Sequence, residues 1–319
     1  MFALLLSALG TPILKALVDQ GGHLGLTTKN AISYCNVFFV GNLCSALVAC
    51  LYFRPKKILQ TAGRITRERW KSLAANILYA NVISPILIIA ALEDAGQVTT
   101  VIMLLQTNAV FYALFAYLFD GEKVSRQCQL GLALIWVGVI ALIFWPGATP
   151  LGYMHFCAIG AAACNALGSW LARKTLDDDS VMPAFLVIRN LIGAVVFFGL
   201  AMNMFGLKHF AHAFTPGLWE LMLIYAAFVV VLAQITWFHA VAHLSSETIS
   251  KWSPIVPVLA LFFAWLLVGE IPTSVQWVGI AIVLTGTTIA QLRIKRHAPD
   301  DEPGAAAKAS INAKPLTGA

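Results

Sequence analysis

The chain has 319 residues, 59% of them hydrophobic and only 11% charged, whereas a soluble domain carries roughly 25% charged residues; an ordinary soluble fold is excluded. The net charge of +6 is placed beside apolar runs and forms no aromatic-interleaved polar face, which excludes a nucleic-acid partner. Six cysteines, Cys35, Cys44, Cys50, Cys128, Cys157 and Cys164, fall in or beside apolar runs without a Cys-x-x-Cys pair, so they read as reduced packing residues and not as disulfides or metal ligands.

A bilayer-crossing helix needs about 20 largely apolar residues. Ten such stretches are predicted, at 2–18, 31–53, 72–92, 97–119, 127–146, 152–172, 182–204, 217–239, 246–268 and 274–293. The first starts at Met1 without a basic leader or a clear cleavage site, so it reads as a span and not as a signal peptide. Pro146, Gly147 and Pro150 divide the chain into 1–147 and 150–295. Residues 296–319 are polar and rich in Ala, Lys and Pro, the composition of a disordered tail.

Basic residues orient the spans. Arg54, Lys56, Lys57, Arg64, Arg67, Arg69 and Lys71 follow the second span; Lys123 with Arg126, Arg173 with Lys174, and Arg293, Lys295 and Arg296 mark later loops on the same side. The opposite loops hold only Lys29 and Lys208. Both termini are therefore expected in the cytoplasm. Five spans per half, an odd number, invert the second half relative to the first.

The halves also repeat in sequence. Ala116-Tyr117-Leu118-Phe119-Asp120-Gly121-Glu122 returns 148 residues later as Ala264-Trp265-Leu266-Leu267-Val268-Gly269-Glu270. Thr100, Gly131, Ala133 and Gly138 meet Thr248, Gly279, Ala281 and Gly286 at the same offset. Ala8-Leu9-Gly10-Thr11 and Lys15 correspond to Ala166-Leu167-Gly168-Ser169 and Arg173.

These residues resemble the drug/metabolite transporter superfamily, and within it the ten-helix EamA-type branch. The Gly121-Glu122 and Gly269-Glu270 pairs, Ser253-Pro254 with Pro257, the run Arg189-Asn190-Leu191-Ile192-Gly193-Ala194 and the Gly10-Thr11 step with Lys15 carry the resemblance. The counterpart of Arg189 in the first half is read as Asn36, and the family's Trp before Gly10 is absent. The resemblance covers the chain to about residue 295. It implies export or exchange of small metabolites, often amino acids or related compounds, in a bacterial inner (plasma) membrane. No cofactor or metal is expected.

Charge inside hydrocarbon costs at least about 2.5 kcal/mol and marks a functional candidate. Lys15, Arg189 and Lys251 fall within spans. Lys15 either snorkels to the outer surface or faces a cavity. Arg189 is expected to bridge structurally to carbonyls or a facing helix. Lys251 either pairs with Glu247 one turn earlier or offers its ammonium to a substrate carboxylate or phosphate. The helix interiors hold almost no Asp or Glu, and proton-driven antiporters commonly use such a carboxylate, so facilitated transport is the simpler expectation.

Polar and aromatic residues within spans complete the candidate substrate site: Tyr79, Asn81, Gln106, Asn108, Asn165, Trp170, Gln234, Trp237 and Trp252. Amides left unpaired in lipid are expensive, so they should face other helices, water or ligand. Pro254 and Pro257 free backbone carbonyls in span nine, producing a hinge or a static kink. Span four lacks prolines at those offsets, so the halves are expected to bend unequally. Glu122 and Glu270 are expected to be structural. The paired glycines of spans five and ten fit a scaffold or a homodimer surface.

The expected protein is thus an all-α polytopic membrane transporter in a lipid bilayer, with two inverted five-helix repeats around a site lined by spans one, three, four, six, eight and nine. Basic residues without interior acids favour a carboxylate-bearing substrate. An exchanger of phosphorylated metabolites or other organic anions, or a quaternary-amine exporter, is the alternative. A membrane enzyme is disfavoured, because no nucleophile, metal or phosphate-loop motif is present.

Overall fold

A computed structural model describes residues 2–20, 34–94, 97–122, 124–144, 151–176, 181–204, 206–207, 214, 216–236 and 255–291. The described residues are all-helical. Seven helices are long and apolar enough to cross a membrane: Cys35–Phe53, Arg67–Asp94, Val98–Asp120, Arg126–Phe144, Tyr153–Thr175, Met182–Asn203 and Gly217–Thr236. Shorter apolar helices, Leu4–Ala16, Ile255–Val268 and Gln276–Ala290, occupy the places of the expected first, ninth and tenth spans.

In chain order the helices are α1 (Phe2–Gln20), α2 (Tyr34–Phe53), α3 (Pro55–Ala62), α4 (Arg67–Asn76), α5 (Ser84–Asp94), α6 (Val98–Leu105), α7 (Asn108–Asp120), α8 (Arg126–Phe144), α9 (Tyr153–Thr175), α10 (Met182–Met204), α11 (Pro216–Tyr225), α12 (Ile255–Val268) and α13 (Ser274–Gln291). Wide π-helical turns continue α4 over Ile77–Ile83 and α11 over Ala226–Leu232. Such turns are rare and concentrate at functional sites; here they fall in spans three and eight, 149 residues apart.

Local geometry repeats along with the sequence. Helix α7 ends at Gly121 and α12 at Gly269, with φ of 66° and 73°, a left-handed cap that glycine adopts without a Cβ penalty. The helix that follows each is capped alike: Ser125 Oγ accepts from Cys128 N at 3.2 Å, and Thr273 Oγ1 from Gln276 N at 3.3 Å. Asn42 donates to the Phe38 carbonyl at 2.8 Å, and Asn190 to the Leu186 carbonyl at 2.9 Å. That match puts Gly41, and not Asn36, opposite Arg189.

Helix contacts repeat too. Helix α1 packs on α12 and the second π turn, while α9 packs on α7 and the first π turn; α2 pairs with α10, and α8 with α13. The last pair crosses backbone to backbone. A Cβ on Gly131 would lie 2.6 Å from the Gly286 carbonyl oxygen, and one on Gly138 would lie 2.6 Å from a Val283 methyl. A Cβ on Gly286 would sit 2.7 Å from the Gly131 carbonyl oxygen. These glycines are thus spent on a contact within one chain. One buried cluster joins α1, α2, α5, α6 and α8 with α12 and α13, and a second joins α3, α4 and α10.

Candidate functional site

Span four tightens near its middle, where Gln106 and Thr107 keep helical φ and ψ but bond the carbonyls of Met103 and Leu104, three residues back, at 3.1 Å. Helix α6 ends at Leu105 and α7 starts at Asn108, with a turn at Gln106 and Thr107. Gln106 Nε2 donates back to the Ile102 carbonyl at 3.2 Å and Thr107 Oγ1 to the Leu104 carbonyl at 2.7 Å. Side-chain bonds of this kind compete with the helix ladder and bend it. Gln106 stands 148 residues before Pro254. Pro254 lies outside the described residues; Pro257 is buried in α12.

The small residues predicted in spans one and six meet the π turns. Gly168 lies against Ala80, and Asn76 Nδ2 donates to the Gly168 carbonyl at 2.7 Å. In the other half a Cβ on Gly10 would be 3.8 Å from the Tyr225 hydroxyl and 4.0 Å from a Val229 methyl. Tyr225 and Val229 stand 149 residues after Asn76 and Ala80. Tyr225 was not among the sequence candidates, and the 148-residue sequence offset carries Asn76 to Ile224, one residue short of it.

The predicted residues separate by environment. Asn81 donates to Asn42 Oδ1 at 3.0 Å and to the Arg189 carbonyl at 3.1 Å, fastening spans two, three and seven. Gly193 leaves room for this junction, since a Cβ there would lie 2.9 Å from Asn42 Oδ1. Tyr79 and Asn108 are half-buried, and Asn165 is exposed near the middle of α9, with Ser169 exposed one turn on. An amide at that depth is better solvated by an aqueous cavity than by lipid. The Gln234 Oε1, Asn76 Oδ1 and Arg189 Nε atoms are buried without a hydrogen-bond partner. No guanidinium bond from Arg189 to a carbonyl or facing side chain appears among the described residues. Trp237, Lys251 and Trp252 lie outside the described residues.

The ends of the spans are tied differently. Lys15 is only 8% exposed and donates to the Leu92 carbonyl at 3.2 Å, so it links α1 to α5. Glu270 accepts from Val98 N at 2.6 Å and Thr99 N at 2.9 Å, capping α6 with its carboxylate. Gln276 Nε2 bonds Gln97 Oε1 and Thr100 Oγ1 beside it. Glu122 instead meets Arg173 at 3.1 Å. Asp120 meets Lys174 at 3.4 Å and accepts from Trp170 Nε1 at 2.6 Å. The Lys174 ammonium stands 3.9 Å from the centre of the Trp170 ring. Trp170 is therefore engaged at the junction of α7 and α9, beside a cleft of about 480 Å³ lined by Arg69, Asp120, Glu122 and Arg173.

Residues 152–291 match the model of the EamA-like transporter family. An uncharacterized transporter of Synechocystis is 31% identical over 309 residues, covering 94% of this chain and 88% of that protein. A Salmonella typhimurium protein described as a probable amino-acid metabolite efflux pump is 27% identical, covering 61% of this chain and 69% of its own. A crystal structure superposes with a TM-score of 0.57 over 91% of this chain and 98% of that one, at 15% identity, which shows a shared fold.

Proposed function

Because the chain belongs to the EamA-like transporter family, we propose that it exports or exchanges amino acids or similar carboxylate-bearing metabolites by alternating access between two inverted five-span halves. It is an integral membrane transporter and not an enzyme. The observation that carries the proposal is the tightened turn in span four at Gln106 and Thr107. Irregular turns within spanning helices suit the substrate site of a transporter, and in sequence Pro254 stands at the corresponding place of the second half.

Seven full-length apolar helices and three shorter ones support ten spans, and the matched caps and contacts support the repeat. Basic loops on one side of ten spans favour cytoplasmic termini, and bacterial relatives support a bacterial inner membrane. Half-buried Tyr79 and Asn108, exposed Asn165 and the unpartnered Gln234 oxygen suit a small polar ligand. Lys251 and Arg189 favour an anionic group on it. Gln106, at the turn, is a further contact candidate.

The test is counterflow in proteoliposomes against amino acids, organic phosphates and quaternary amines. Amino acids should exchange fastest, and Lys251→Met should weaken the preference for carboxylates. Exchange restricted to quaternary amines would overturn the substrate class, and no exchange of any class would overturn the site.

A further inference from the structure

The connection between spans two and three is a built surface and not a plain loop. At Arg54 the backbone takes φ of 64°, the only positive φ outside glycine among the described residues. An L residue there is strained and persists only where the surroundings impose it. Arg54 N donates to the Cys50 carbonyl, and the Arg54 carbonyl accepts from Lys57 N and Ile58 N, at 3.1 to 3.3 Å. Pro55 then opens α3, its fixed φ suited to a first helical turn.

Helix α3 packs against α10 and α2, burying Ile58 and Thr61. Its outer face is mixed. Leu59 is 73% exposed, and Leu51 and Tyr52, at the end of α2, are 74% and 60% exposed. Lys56 and Lys57 are exposed on the same short helix, with the Lys57 ammonium 6.0 Å from the Phe53 ring centre. From Arg54 to Lys71 there are seven basic residues and one acid, Glu68. An exposed leucine on a helix this polar belongs neither in hydrocarbon nor in bulk water. It fits the boundary between them, where amphipathic helices lie with basic residues on anionic headgroups.

We propose that α3 and its entry turn bind anionic phospholipid. The helix lies in the headgroup layer, with Leu51, Tyr52 and Leu59 in the acyl boundary and Arg54, Lys56 and Lys57 on lipid phosphates. The apolar face of α3 rests on α10 in the cluster that holds Phe185, Leu186 and Val187. Bound lipid therefore clamps α3 onto span seven, whatever the transported substrate.

The full chain in neutral micelles is titrated with phosphatidylglycerol or phosphatidylcholine, and retained lipid is counted by native mass spectrometry. Phosphatidylglycerol should be retained over phosphatidylcholine, and the preference should shrink at high salt. It should fall about fivefold for each charge removed in Lys56→Gln and Lys57→Gln, from the attraction of one basic residue to an anionic surface. Unaltered circular dichroism will show that both variants fold. Leu59→Ser should weaken retention of both lipids. Lys123→Gln with Arg126→Gln, on another basic loop, should change nothing. Undiminished preference in the Lys56→Gln, Lys57→Gln double variant would overturn the proposal. So would an equal loss in the control pair, or inorganic phosphate displacing the lipid at the same concentration.

Discussion

Glu122 and Glu270 hold equivalent places in the repeat, yet the structure gives them unequal tasks, and replacing each by glutamine separates those tasks. Glu270 accepts two backbone N–H groups at the start of α6, at 2.6 and 2.9 Å. A hydrogen bond to a charged group contributes about 1.5–3 kcal/mol, and negative charge at a helix N-terminus adds about 0.3–1 kcal/mol. Glutamine keeps one acceptor oxygen. Glu270→Gln should therefore cost about 1–3 kcal/mol. Glu122 meets Arg173 with side chains 49% and 58% exposed, so water and salt screen the pair, and Glu122→Gln should cost at most about 1 kcal/mol. Equilibrium unfolding in mixed micelles, followed by circular dichroism, reads both. High salt should erase the smaller effect and leave most of the larger one. If Glu122→Gln destabilised as much as Glu270→Gln, the cap on α6 would not be the anchor described.

Two further outcomes follow from close packing and from the turn in span four. Gly131→Ala puts a Cβ 2.6 Å from the Gly286 carbonyl oxygen and should destabilise by about 1–3 kcal/mol, while Gly199→Ala meets nothing within 4 Å and should be neutral or slightly stabilising in a thermal melt. Thr107→Val removes the 2.7 Å bond to the Leu104 carbonyl; counterflow should slow several-fold while the melting midpoint holds, and unchanged flux would separate the turn from transport.

Much of the fold was legible in the sequence, because lipid imposes a length and a composition on each span. The recurring Gly-Glu pair located the two left-handed caps at Gly121 and Gly269. What escaped was backbone detail that hydropathy does not record. Nothing in Ile77–Ile83 or Ala226–Leu232 distinguishes a π turn from an ordinary one by composition. The tightened turn at Gln106 and Thr107 was hidden because it involves no proline or glycine. Helix α3 was read only as a basic loop, since eight residues of mixed character give a weak periodic signal. Asn81 was legible as a polar residue needing partners, but its partners, Asn42 and the Arg189 carbonyl, are set by packing. Trp170 looked like a cavity aromatic, and only the fold brings Asp120 to its indole.

The central claim is the inversion of one half relative to the other, and locating the two ends of the chain in intact cells tests it most directly. Reporter tags at residue 1 and residue 319, scored for accessibility from outside and after permeabilisation, should both be shielded until the membrane is opened. One tag outside and one inside would contradict an even number of spans, and with it the inverted arrangement.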